Sequence, residues 1–335
     1  MNDPATTAAR RAGRIAEDVL FPAAVAVDAS GRIPAGHLDL LAREGFYGLA
    51  GPRGRGGMGA DLPATCAVVE ILASACLATT FVWVQHHSAV RAVAATAQDT
   101  LREDWLEPLC LGTRRAGTAM AGTLPGPPQL RAHPVPGGYL LDGSAPWITG
   151  WGLIDVLYTA ARDEHDTIVW ALLDATASQT LTVMHMQMVA VSASSTVRAT
   201  FSGHFVPAER VTATMPHLDW MARDATTLRL NGSLALGVAA RCCTLIGPSP
   251  LDGELTACRA ALDTVVPQAL PAARAAASEL AMRASAALIV TQGSQSVLSG
   301  QLAQLLAREA LFLLVFGSRR AIKERLTDLL TNAGG

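Results

Sequence analysis

The residues whose types could do chemistry are scattered along this chain. Arg319 and Arg320 directly follow Gly317 and Ser318. Two guanidinium groups there would grip an anionic substrate or a phosphate, or cap the helix that precedes them. His86 and His87 adjoin an apolar helix and are candidates for a functional role, against the plainer reading of satisfied core or surface histidines. Glu309 reads as a locally paired, solvated or capping carboxylate. Glu324 and Asp328, interleaved with Lys323 and Arg325, read as the exposed charged face of a last helix. Trp147-Ile148-Thr149 fits strand packing. The six cysteines (Cys66, Cys76, Cys110, Cys242, Cys243, Cys258) show no CxxC spacing and read as reduced thiols of a cytoplasmic protein, with no metal site.

The elements that must position these residues fall into three textures. The chain has 335 residues, half of them hydrophobic and only 16% charged, with a formal net charge of -2. That balance excludes disorder and leaves no basic footprint for nucleic acid or an anionic membrane. The longest apolar run near the end, Ala310 to Phe316, is too short to span a bilayer, and no apolar stretch follows Arg10, Arg11 and Arg14 to make a secretory signal. Residues 1–112 show helical spacing, as in His37–Glu44 and Ala64–Leu77, interrupted by the glycine-rich connector Gly48–Gly59. Residues 113–214 turn to strands. Tyr139–Gly143 reads as a strand running into an Asp-Gly turn, Val156–Ala161 and Thr167–Leu173 are β-rich, and the spacing predicts a small barrel or sandwich. Residues 215–335 return to helices, at Leu228–Ile246, Leu255–Val265, Ala269–Val290, Gln301–Phe316 and Arg320–Leu330.

That order resembles the acyl-CoA dehydrogenases. Four pieces carry the resemblance: Gly45-Phe46-Tyr47-Gly48-Leu49 with Pro52 and Gly56–Ala60; Leu141–Gly150 with its Trp147-Ile148-Thr149; Asp155 and a strand ending Ala161-Arg162; and Ser195-Thr196 with Phe201, then Phe205-Val206-Pro207-Ala208-Glu209-Arg210-Val211, while Ala119–Gly126 lines up with the family's strand and turn. The resemblance implies an α+β multidomain chain, with an N-terminal helical domain, a middle β-barrel or sandwich domain and a C-terminal helical bundle. It implies FAD between the β unit and the bundle, and an acyl thioester of coenzyme A or a carrier protein as substrate. Met120, Gly122 and Thr123, Trp147, Ile148 and Thr149, and Gly293 would contact the cofactor. Arg319 and His86 would lie toward the substrate.

The sequence also departs from the family pattern. Counting from Arg308-Glu309-Ala310 brings the catalytic glutamate's position onto Gly317, and the alternative base position onto Thr227. Pro127-Pro128-Gln129-Leu130 replaces the stretch whose serine contacts a flavin phosphate. Val290 stands where a flavin-contacting Gln lies, and Ser294 and Ser296 replace two glycines after Gly293. Three readings are consistent with this: a flavin-dependent oxidoreductase with a non-standard base, a catalytically degenerate subunit that pairs with a second dehydrogenase-like chain, or a flavin oxidase or monooxygenase relative. Oligomerisation, with itself or with such a partner, is expected because Leu305 to Phe316 is too apolar to be left wet.

Overall fold

The structure, a computed structural model, describes residues 4–223, 225–317 and 319–331, so Ser318 lies outside the described residues. Six helices come first. Helix α1 (Pro4–Ile15) runs through a π-helical turn into α2 (Phe21–Ser30), followed by α3 (Ala35–Arg43), α4 (Leu62–Ala75), α5 (Leu77–Ala95) and α6 (Asp99–Leu111). The Asp61 carboxylate accepts a bond from the Ala64 N–H at 2.9 Å and starts α4. The connector before it has little choice of residue: a Cβ on Gly57 would sit 2.2 Å from the carbonyl of Gly51. Helices α4 and α5 do not merge, because Cys76 between them is extended. His86 and His87 lie within α5 rather than after a helix.

Eight strands form one mixed sheet: β1 (Ala116–Ala119), β2 (Leu130–Val135), β3 (Gly138–Ile148), β4 (Val156–Arg162), β5 (Thr167–Asp174), β6 (Leu181–His185), β7 (Val197–Pro207) and β8 (Val211–Pro216). The order is β6-β7-β3-β2-β4-β5-β8, with β1 added parallel to β4. The expected Asp142-Gly143 turn is not one. Strand β3 runs straight through it, and the reversal from β2 falls at Pro136-Gly137. Instead Asp142 holds the Gly203 N–H at 2.8 Å across a register shift. Gly143 is needed there because a Cβ would meet the Gln129 carbonyl oxygen at 2.2 Å.

The chain then forms α7 (His217–Arg223), α8 (Ala225–Ile246), α9 (Pro250–Thr264), α10 (Leu270–Gln292), α11 (Leu302–Val315) and α12 (Arg320–Thr331). Ser249 and Asp252 form a capping box that starts α9. Although the sheet separates them in sequence, the first and last helices share one hydrophobic core, whereas the inner face of the sheet has its own. Arg241 reaches Glu17 and the Ser74 carbonyl, Arg259 pairs with Glu70, and Arg308 pairs with Asp28. Bidentate pairs of this kind fix orientation as well as adding energy.

Candidate functional site

The exit of β3 carries the most unusual side chain of the sheet. Ala145 and Ile148 are fully buried, yet Trp147 between them is 62% exposed. Its φ is +65°, in the left-handed region that costs a non-glycine residue about 1–2 kcal/mol. A register shift against β7 spans this segment and turns the indole outward. Thr149 is buried, and its hydroxyl bonds nothing among the described residues. The chain next presses onto α5, since a Cβ at Gly150 would touch Val82 at 3.0 Å.

The turn after β1 lies on the sheet. Its Gly122 packs against β4 so closely that a Cβ would meet the Ala160 carbonyl oxygen at 2.7 Å. Thr123 closes its own turn, donating its hydroxyl to the Met120 carbonyl at 2.8 Å. Met120 is half-buried beside Ala160, Ile168 and Trp170. Tyr158 stacks on Trp170 with centroids 4.9 Å apart.

The end of α11 approaches the same stretch of α5. Phe81, the neighbour of Val82, meets Phe312 and Phe316 edge-on at 5.0 and 4.9 Å. Residue 81 therefore touches the α11 end while residue 82 touches the segment after Trp147. The carbonyls of Leu313 and Phe316 accept bonds from buried Arg274 at 3.2 and 3.3 Å, and burial pushes this guanidinium down to about 10. Sequence reasoning missed Arg274 as the cap. Arg319, half-buried, instead donates to the Gly317 carbonyl at 3.3 Å, and Arg320 pairs with Glu324 at 2.7 Å on the exposed face.

Gly317 has φ +62°, and a Cβ there would lie 3.1 Å from Nδ2 of Asn231 on α8. Asn231, four residues after Thr227 and hence on the same helix face, was not singled out by the sequence. Gly317→Glu alone is expected to cost about 1 kcal/mol or more through its left-handed backbone and to give no gain of dehydrogenation. Pairing it with Asn231→Gly removes the crowding, and thermal melts of the two variants distinguish the contributions. Gly293 ends α10 at φ +74° with open space around it, and Val290 one turn earlier is 80% exposed.

Two expectations need correction. His86 is buried, accepts the Ala116 N–H on Nδ1 and places Nε2 3.0 Å from the Leu109 carbonyl. Both nitrogens are engaged with backbone, and burial pushes the ring down to about 3, so it stays neutral and joins α5, α6 and β1. It has no nitrogen left for a substrate. Glu309 is not a surface carboxylate. It lies on the inward stripe of α11 with Leu305, Leu306, Ala310 and Leu313, and burial chiefly, with Asp28 nearby, pushes it up to about 8.

Among curated proteins none matches the chain by sequence. The family model described as the acyl-CoA dehydrogenase N-terminal domain matches residues 5–113. The fold is similar to butyryl-CoA dehydrogenase from Megasphaera elsdenii, with TM-score 0.85, 18% identity and 98% of each chain covered. It is similar to acyl-CoA dehydrogenase from Geobacillus kaustophilus, with TM-score 0.84, 15% identity and 99% of each chain covered. It is also similar to PigA with FAD and proline, with TM-score 0.83, 18% identity and 100% of this chain and 99% of that one covered. Residues 5–113 thus match the acyl-CoA dehydrogenase N-terminal domain, and the chain as a whole has the acyl-CoA dehydrogenase fold.

Within the acyl-CoA dehydrogenase fold the stretch around α11 departs from the pattern that the resemblance implies. A glycine and an amide meet at the position that the resemblance gives to the base, and a phenylalanine triad fills the space beside it. No helix among the described residues is long and apolar enough to cross a membrane.

Proposed function

We propose that this chain binds FAD and acts as an oxidoreductase of the acyl-CoA dehydrogenase type on an acyl thioester. Exposed, strained Trp147 carries the reading. A large indole held outward at a backbone cost is kept where something flat packs on it. Met120, Gly122, Thr123, Ile148 and Thr149 would hold the isoalloxazine together with Trp147, and the free Thr149 hydroxyl supplies a hydrogen bond. Thr123 is less available, because its hydroxyl already closes its turn. The relative PigA, whose structure holds FAD and proline, supports the cofactor assignment. FAD when bound accepts the hydride.

The hydride would go to the flavin and the α-proton to a non-standard base away from Gly317, because the residues at that position only orient the substrate and exclude water. Gly317 has no side chain, and the Asn231 amide beside it donates and accepts hydrogen bonds but is no base at neutral pH. The Phe81, Phe312 and Phe316 rings keep water from that side. These same features favour a second reading, a partner subunit without its own turnover. Val290, Val297, Leu298, Leu311 and Val315 leave apolar area exposed on α10, α11 and the turn between them, which suits contact with a second dehydrogenase-like chain or a second copy.

The test is the visible spectrum of the purified protein before and after FAD and then an acyl thioester. The first reading expects a yellow protein that bleaches with substrate. A yellow protein that bleaches only when a second dehydrogenase-like chain is present supports the partner-subunit reading. A protein that is colourless alone and turns yellow only with a second dehydrogenase-like chain also supports the partner-subunit reading, and one that takes up no FAD in either setting contradicts both.

A further inference from the structure

We infer that α7 is a latch on the turn after β1, and that His217 and Arg162 are positioning residues for the cofactor; this rests on the FAD reading above. His217, the first residue of α7, is buried between two partners. Its Nε2 lies 3.1 Å from the Thr123 carbonyl and its Nδ1 lies 2.8 Å from Nη1 of Arg162. A guanidinium can only donate, so Nδ1 accepts and Nε2–H points at Thr123, which fixes the tautomer. Arg162, at the end of β4, is also buried and donates from Nη2 to the carbonyls of Leu124 and Gly126. The two side chains together hold three carbonyls of the segment Thr123–Gly126.

The pair is itself anchored in the hairpin between β4 and β5. Asp166 lies 3.0 Å from Nη1 of Arg162, and its carbonyl accepts the His217 N–H at 2.9 Å. The Arg162 Nε is buried without a partner, so this guanidinium sacrifices one donor to keep its grip on the turn. A second contact seats the same helix. Trp220 lies 5.0 Å from Trp170, in the aromatic cluster that Met120 joins, while Leu218 and Met221 face outward. Latch and ring thus clamp both ends of the segment that carries Met120, Gly122 and Thr123. The Pro127-Pro128 that follows offers no backbone N–H groups, so fixing of the turn falls to carbonyl contacts from His217 and Arg162.

The experiment compares wild type with His217→Ala and His217→Gln. A glutamine amide can donate to Thr123 and accept from Arg162, so it is the conservative rescue. Amide exchange at Thr123, whose N–H bonds the Met120 carbonyl at 3.0 Å, followed without FAD, is expected to rise about ten-fold in the alanine variant and to return in the glutamine variant. The FAD Kd is expected to rise about ten-fold in the alanine variant and to recover with glutamine. Unchanged exchange in His217→Ala overturns the latch. Faster exchange with unchanged FAD affinity overturns the positioning role. If wild type itself binds no FAD, the cofactor reading falls along with that role, and the latch stands or falls on exchange alone.

Discussion

Replacing Trp147 with glycine is expected to make the protein more stable and to cost it FAD. Glycine enters the left-handed region without the Cβ clash, so the φ of +65° ceases to carry its penalty of about 1–2 kcal/mol. Little packing is lost, because the indole is 62% exposed. Some of the gain is given back through the freer unfolded chain, leaving roughly 0.5–1 kcal/mol. Affinity moves the other way. Stacking of an aromatic side chain on a flat heteroaromatic ring is worth roughly 1–3 kcal/mol, and each 1.4 kcal/mol is about ten-fold. FAD binding should therefore weaken by about ten- to a hundred-fold while the melting temperature rises. Strain retained for a ligand gives this opposed pair. Melting curves and FAD titrations of Trp147→Gly, with Trp147→Phe as the aromatic control, measure both. A variant that melts lower and binds FAD as before would mean that the indole serves the fold.

Glu309 is expected to make stability fall as pH rises. Its carboxyl sits in the helical core against the backbone N–H of Leu77 at the start of α5, and burial pushes it up to about 8. The unfolded chain titrates near the ordinary value of about 4.3. Between those values the folded state binds the proton that the unfolded state has lost, so the stability it contributes is complete below about pH 4 and is lost as pH passes through about 8. The slope approaches about 1.4 kcal/mol per pH unit inside that window. Glu309→Gln keeps the shape and removes the titration, so its melting temperature should stay flat where wild type declines, with a gap of several degrees at pH 9. Parallel melting profiles from pH 5 to pH 9 would show that Glu309 ionises in the folded protein at the ordinary value.

The helices of the last third were legible because their apolar spacing is interrupted by strong stop and start residues. Gly247 and Pro248 end α8, and Ser249 with Asp252 opens α9. The tryptophan segment was legible through its resemblance to a family, but neither its exposure nor its left-handed backbone is written in local spacing, because both depend on the register with β7. Asp142-Gly143 misled for a similar reason. Asp-Gly favours a hairpin locally, yet here the aspartate serves Gly203, sixty-one positions on. Glu309 carried a readable signal: it stands four residues from both Leu305 and Leu313, on the inward face of α11. The latch could not be read, since Arg162, His217 and Thr123 meet only after the sheet has formed. Helix α7 offers too short a pattern to announce itself.

In the proposed reading a flat cofactor would pack on Trp147 and Thr149, on the side where α5 brings the end of α11 close. A crystal structure of the chain grown with FAD tests this most directly. The isoalloxazine is expected against the Trp147 indole, with a ring atom hydrogen-bonded to the Thr149 hydroxyl and the Met120–Thr123 turn alongside. A cofactor bound elsewhere, or a protein that crystallises from FAD with Trp147 covered by its own side chains, would contradict it.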